Sequence, residues 1–266
     1  MPLLHLTDFE MHYTVRGQGS NTLVLVHGNV ASLRWWNPVL AGLPPGVRAV
    51  AMDLRGCGDS GHPDAGYSID QFAEDIHQLV MQLNLQEFHL VGHSMGGLIC
   101  AYYTLQHPER VRTLTLVDSV PMDGLGLDDA KRAMFELLIN DREVLRRAIG
   151  ACMQYSSGTG FAEQAFADAS RCAVNIYRDN PETMSDTNLM GRMQEIGKPV
   201  MLIHGREDLI IPLEQMAATI EALPQARIHI LERCGHSPQI EKPAEFMALL
   251  WDFLSNHSSS SSTEEY

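Results

Sequence analysis

Two patterns of apolar positions alternate along this chain. Nearly continuous apolar runs at 22–26, 47–52, 111–117, 200–204 and 226–231, and another opening at Phe88, predict strands buried on both faces. Between them the spacing turns helical. Ile69, Phe72, Ala73, Ile76, Leu79, Val80 and Leu83 recur on one face, with Ser68-x-x-Gln71 as a capping box at the start. A second helix is predicted over 95–106, closed by His107-Pro108. Another follows Pro212, and a last one runs over 243–254 with Phe246, Leu249, Leu250 and Phe253 on its apolar face. Two short strands, 3–7 and 11–16, precede this alternation, turning at Asp8-Phe9-Glu10. Strand–helix alternation of this kind predicts an α/β fold, a mostly parallel sheet covered by helices on both faces.

From 119 to 196 the rhythm changes. Helical patterns continue without a strand, broken by Ser156-Ser157-Gly158-Thr159-Gly160. An all-helical insert after the sixth strand reads as a cap over the sheet's C-terminal edge, where open α/β sheets place their sites. The expected division is therefore a core of 1–118 and 197–254, a helical cap of 119–196, and a disordered serine-rich tail of 255–266.

Charge and composition narrow the partners. Thirty-three acids against 19 bases leave a net charge of −14, which argues against nucleic acid and against anionic membranes. The chain opens without the pattern of a signal peptide, and no apolar stretch is long enough to span a bilayer. Five cysteines (57, 100, 152, 172 and 234) form no C-x-x-C pair, which fits reduced thiols in a cytoplasm. The oligomer expected is a monomer or homodimer.

The chemistry centres on Gly92-His93-Ser94-Met95-Gly96, a G-x-S-x-G sequence between a strand and a helix. Glycines at 92 and 96 relieve crowding in a sharp turn, so the Ser94 hydroxyl stands above the sheet. The Met95 N–H, at the new helix N-terminus, can face a developing oxyanion. A nucleophilic serine needs a base, and the base an orienting carboxylate. Asp208 and His236 follow the last two strands of the alternation, and the order Ser94, Asp208, His236 suits one sheet edge. Glu207 and Asp118 are the alternative acids. The Asn29 N–H, after the third strand, is a second oxyanion donor. His27, His93 and His204 read as packing histidines, Asp53 and Arg55 as loop braces, and Cys234 as a buried inert thiol. The histidine spacings match no metal motif, so no metal and no cofactor are expected.

Taken together, His27-Gly28, Asp53-Leu54-Arg55-Gly56-x-Gly58-x-Ser60, Gly92-His93-Ser94-Met95-Gly96-Gly97, His204-Gly205-x-x-Asp208 and Gly235-His236 resemble the α/β-hydrolase-fold serine hydrolases over 3–254. The resemblance implies an eight-stranded sheet, with Ser94 as nucleophile, His236 as base, Asp208 as acid, and Asn29 and Met95 as oxyanion donors. Residues 27–36 and 92–97 are similar to the serine-type N-acyl-homoserine lactonases, which implies an esterase or lactonase working through an acyl-enzyme. The partner would be a small ester or lactone with an apolar acyl part. Trp35, Trp36, Tyr155 and Met122 are the candidate substrate contacts, the last two in an insert rich in Met. Serine in place of aspartate excludes alkyl-enzyme chemistry. Meta-cleavage C–C hydrolases share the triad but carry a more glycine-rich loop than His27-Gly28-Asn29-Val30-Ala31-Ser32. The other readings are a cofactor-free haloperoxidase or perhydrolase, a C–C hydrolase of the same fold, and a non-catalytic ligand receptor.

Overall fold

The computed structural model describes residues 2–156 and 158–258. Eight strands form one sheet: β1 (Leu3–His5), β2 (Glu10–Gly17), β3 (Asn21–Val26), β4 (Val47–Met52), β5 (Phe88–His93), β6 (Val111–Val117), β7 (Val200–Gly205) and β8 (Arg227–Leu231). Their order is β1-β2-β4-β3-β5-β6-β7-β8, antiparallel at β1–β2 and β2–β4 and parallel from β4 to β8. The helices are α1 (Asn37–Ala41), α2 (Ile69–Gln82), α3 (Met95–Gln106), α4 (Asp129–Asn140), α5 (Arg142–Ala151), α6 (Gly160–Ala169), α7 (Val174–Asp186), α8 (Ala217–Ala222), α9 (Pro238–Glu241) and α10 (Pro243–Ser255).

Alternation along each strand divides the core between the two sheet faces. On β3, Val24 and Val26 join the core beneath α2, α3 and the cap, whereas Leu23 and Leu25 join that beneath α1 and α10. Helix α10 contributes Phe246, Leu250 and Phe253 to the second core, each worth about 1.5–3 kcal/mol in buried apolar surface. Helix α3 is buried nearly all round, packed against the sheet strands β5 and β6 and against α2.

Between β6 and β7 the chain forms α4 to α7 and a short 3₁₀ helix, Met190–Glu195, with no strand among the described residues. Two details differ from the sequence pattern. Ser68 occupies the N-cap position of α2 but makes no capping hydrogen bond. The Ile69 N–H instead donates to Thr183 Oγ1 of α7, a tertiary partner, and Gln71 donates to Asp75 one turn on within α2, so the capping box does not form. At the C-terminus, Ser255 ends α10 and the chain continues in hydrogen-bonded turns through Ser258. The rest of the expected tail, 259–266, lies outside the described residues, as does Ser157. Among the described residues no helix is long and apolar enough to cross a membrane.

Candidate active site

Ser94 sits between β5 and α3 with φ 55° and ψ −122°, a left-handed conformation that costs a serine energy. Its surroundings enforce it. A Cβ at Gly96 would stand 2.5 Å from the Val26 and His27 carbonyl oxygens, and one at Gly92 would drive into the Gly96 carbonyl. At Gly28 a Cβ would lie 2.9 Å from Ser94 Cβ, so the loop after β3 lies directly against the serine. Helix α3 begins at Met95, whose N–H therefore has no acceptor within the helix.

His236, in the loop after β8, has its Nδ1 2.7 Å from Asp208 Oδ2. The Asp208 carboxylate also accepts from the N–H groups of Ile210 (2.8 Å) and Ile211 (2.9 Å) through Oδ1. Burial pushes this carboxyl up, but the His236 charge and hydrogen bond, with the Ile211 N–H, outweigh it and leave Asp208 below its ordinary value. Asp118 behaves oppositely. Fully buried, it is pushed well above the carboxylate range by burial and then by the Asp208 charge. Its Oδ1 accepts from the Gly205 N–H at 2.8 Å and lies 3.3 Å from His204 Nδ1. Glu207 points elsewhere, accepting from the Tyr155 hydroxyl.

Three neighbouring histidines are held neutral. Burial lowers His27, His93 and His204, with His93 at about 3. His93 Nε2 donates to the His236 carbonyl at 2.6 Å, while its ring stacks on Trp35 at 5.6 Å between centroids. His27 Nδ1 donates to the Gly28 carbonyl at 2.7 Å, and its Nε2 accepts from the Leu54 N–H at 3.0 Å. Asp53 braces the loop after β4, accepting from the N–H groups of Leu33 and Asp59 and bonding His12. Arg55 does the same through Asp75 and Asp8. Groupings of His and acid that could hold a cation occur at His93, Asp118 and His236 and at Asp118, His204 and Asp208. His93 Nδ1 and Asp118 Oδ2 are buried with no hydrogen-bond partner among the described residues, whereas the Asp208 oxygens serve His236, Ile210 and Ile211.

Ser94 and His236 open into a cavity of about 220 Å³. Asn29, Val30, Trp35 and His93 line its floor, and Phe135, Leu138, Leu145, Ile149 and Met184 of the cap line its roof. Of the proposed substrate contacts, Trp35 lies in this wall. Trp36 does not: it packs against Phe246 on the opposite sheet face. Met122 is fully buried outside the lining, its N–H bonded to Thr219. Tyr155 is 45% exposed, bonded to Glu207 outside the cavity. The cap side chains that do line it follow no local motif, because helical periodicity marks them only as buried.

The sequence matches the family model of the alpha/beta hydrolase fold over residues 21–175. It is 29% identical over 273 residues to a 2-hydroxy-6-oxononadienedioate/2-hydroxy-6-oxononatrienedioate hydrolase of Paraburkholderia phymatum, covering 93% of this chain and 92% of that one. Among solved structures it is similar to a bromoperoxidase from Bacillus anthracis, with a TM-score of 0.84 and 27% identity over 93% of this chain and 96% of that one. It shares its fold with Est816, an N-acyl homoserine lactone degrading enzyme, at a TM-score of 0.83 and 24% identity, over 95% of this chain and all of that one.

Proposed function

The chain belongs to the alpha/beta hydrolase fold family, and on that premise we propose that it is a serine hydrolase cleaving carboxylic esters or lactones through an acyl-enzyme. One observation carries the reading: a strained, cavity-facing Ser94 shares its cavity with His236, whose other ring nitrogen is bonded to the ionised Asp208. In this reading Ser94 Oγ attacks the substrate carbonyl as His236 Nε2 takes its proton. Asp208 keeps Nδ1 protonated and stabilises the imidazolium. The opposite displacements of Asp208 and Asp118 support Asp208 as the acid, because a carboxyl held neutral cannot stabilise a cation. The N–H groups of Asn29 and Met95 receive the oxyanion, a contribution of about 3–4 kcal/mol for one such donor. Collapse expels the alcohol, protonated by His236, and water activated by the same imidazole releases the acid. Core and cap, 119–196, divide the work between chemistry and binding.

A second reading is hydrolysis of a C–C bond, favoured by the Paraburkholderia phymatum relative, whose named substrates are dicarboxylates. Among the described residues none lining the cavity is an arginine or lysine, and a buried carboxylate without a cation is costly. That supports a neutral, apolar acyl group instead. The test is covalent. A fluorophosphonate probe is expected to label the native protein and not Ser94→Ala. Turnover of p-nitrophenyl butyrate is expected to fall by several orders of magnitude in Ser94→Ala and in His236→Ala, and little further in the double variant. Equal labelling of Ser94→Ala, or additive losses, would overturn the reading.

A further inference from the structure

Two buried polar side chains of the cap, Asp168 and Asn180, reach back to one stretch of the core, 29–34. Asp168 of α6 accepts from Ser32 Oγ at 2.7 Å and from Arg34 Nη1 at 2.8 and 2.9 Å. Asn180 of α7, fully buried, donates from Nδ2 to Asn29 Oδ1 at 2.8 Å. Both tie down the loop after β3, which carries Gly28 against Ser94 and holds Val30 at a φ of 54°. A β-branched residue in that conformation persists only where its surroundings over-determine it.

The second amide atom of Asn180 is informative. Its Oδ1 is buried and has no hydrogen-bond partner among the described residues. An orphaned buried acceptor is a liability that an apolar side chain of similar volume would remove. The packing of α7 is therefore poorer for having asparagine there, and its hydrogen bond serves the loop it reaches. We propose that Asn180 is a positioning residue for the reaction at Ser94: through the Asn29 carboxamide it holds the oxyanion-side loop in the geometry that receives the tetrahedral intermediate. This rests on Ser94 as nucleophile and the Asn29 N–H as donor. Sequence alone gives no sign of it, because the two asparagines are 151 positions apart.

The experiment measures p-nitrophenyl butyrate kinetics, fluorophosphonate labelling rate and Tm for native protein, Asn180→Leu, Asn29→Ala and the double variant. Asn180→Leu is expected to lower kcat by about 10–100-fold, the scale of a small misplacement at a reacting centre. KM should change less than threefold and Tm should not fall. The labelling rate should drop in the same proportion, because the tetrahedral phosphonyl group uses the same donors. Asn29→Ala should lose as much, and the double variant no more. Unchanged kcat, additive losses, or a lowered Tm with native kcat would each overturn the role of Asn180. If Asn180→Leu does not fold, Asn29→Ala decides alone, and kcat within twofold of native overturns it. Failure of the native protein to label at all overturns instead the nucleophile on which the proposal depends.

Discussion

Val30, Ser94 and Asp118 have φ values of 54°, 55° and 38° and stand just beyond the C-terminal ends of three neighbouring strands, β3, β5 and β6. Each conformation costs about 1–3 kcal/mol, so strain is concentrated where the candidate chemistry lies. Buried histidines add a pH-dependent cost. His89, on β5 and bonded to Thr113 Oγ1 at 2.8 Å, is lowered to about 4 by burial and then by the Arg112 charge. Its folded form stays neutral where the unfolded chain takes up a proton. Its contribution is therefore complete above the ordinary histidine value near 6.5 and is lost as pH falls from there toward 4. His89→Gln should flatten the fall of unfolding free energy between pH 6.5 and 5 by roughly 1.4 kcal/mol per pH unit. Urea midpoints across that range check it, and parallel slopes would contradict it. At this scale the sequence was uneven. Glycines around Ser94 announced the turn, but adjacent Trp35 and Trp36 give no periodicity, so the opposite sheet faces they occupy could not be read.

Elements were more legible. The buried strands 47–52 and 111–117 and the helix 95–106 agree with β4, β6 and α3, because long apolar runs and a His-Pro stop leave few alternatives. The 3₁₀ turn Leu33–Trp36 and the lost capping box of α2 were not legible, since both depend on distant partners such as Asp53 and Thr183. The turn between β5 and α3 can be tested as an element. Gly92→Ala would force a methyl group into the Gly96 carbonyl, backbone of the buried helix α3, and to 2.7 Å from the Cys100 Sγ. A loss of at least about 3 kcal/mol is expected, beyond the usual range for a point substitution. Gly197→Ala, with open space around it, should change stability by less than about 0.5 kcal/mol. Thermal denaturation of the two variants side by side decides, and similar midpoints would show that the turn is pliable.

On the scale of the molecule, the chain carries an excess of 14 negative charges, and the cavity lining carries no acid, arginine or lysine among the described residues. Such a field disfavours the approach of anions, and the cavity offers no cation to compensate a buried carboxylate. An ester carrying a terminal carboxylate on its acyl chain should therefore show kcat/KM at least about 100-fold below its neutral methyl-capped counterpart. The gap should narrow with salt, by the part due to long-range repulsion. Equal kcat/KM for the pair would count against an apolar acyl site. The candidate triad and the sheet edge beneath it were legible in the sequence because their residues follow strands. The cavity roof was not, because three cap helices, α4, α5 and α7, line it with ordinary apolar side chains.

That division between floor and roof has a consequence for how this protein can change. Asn29, Ser94 and His236 come from the core, whereas Phe135, Leu145, Ile149 and Met184 come from the insert between β6 and β7. Selection acting on the insert can enlarge or reshape the cavity one side chain at a time while leaving Ser94, Asp208 and His236 untouched. Those innovations remain bound by Asp168 and Asn180, which must keep their grip on the loop below. A library restricted to the roof and sparing these two anchors is thus the shortest route to new substrates on this scaffold.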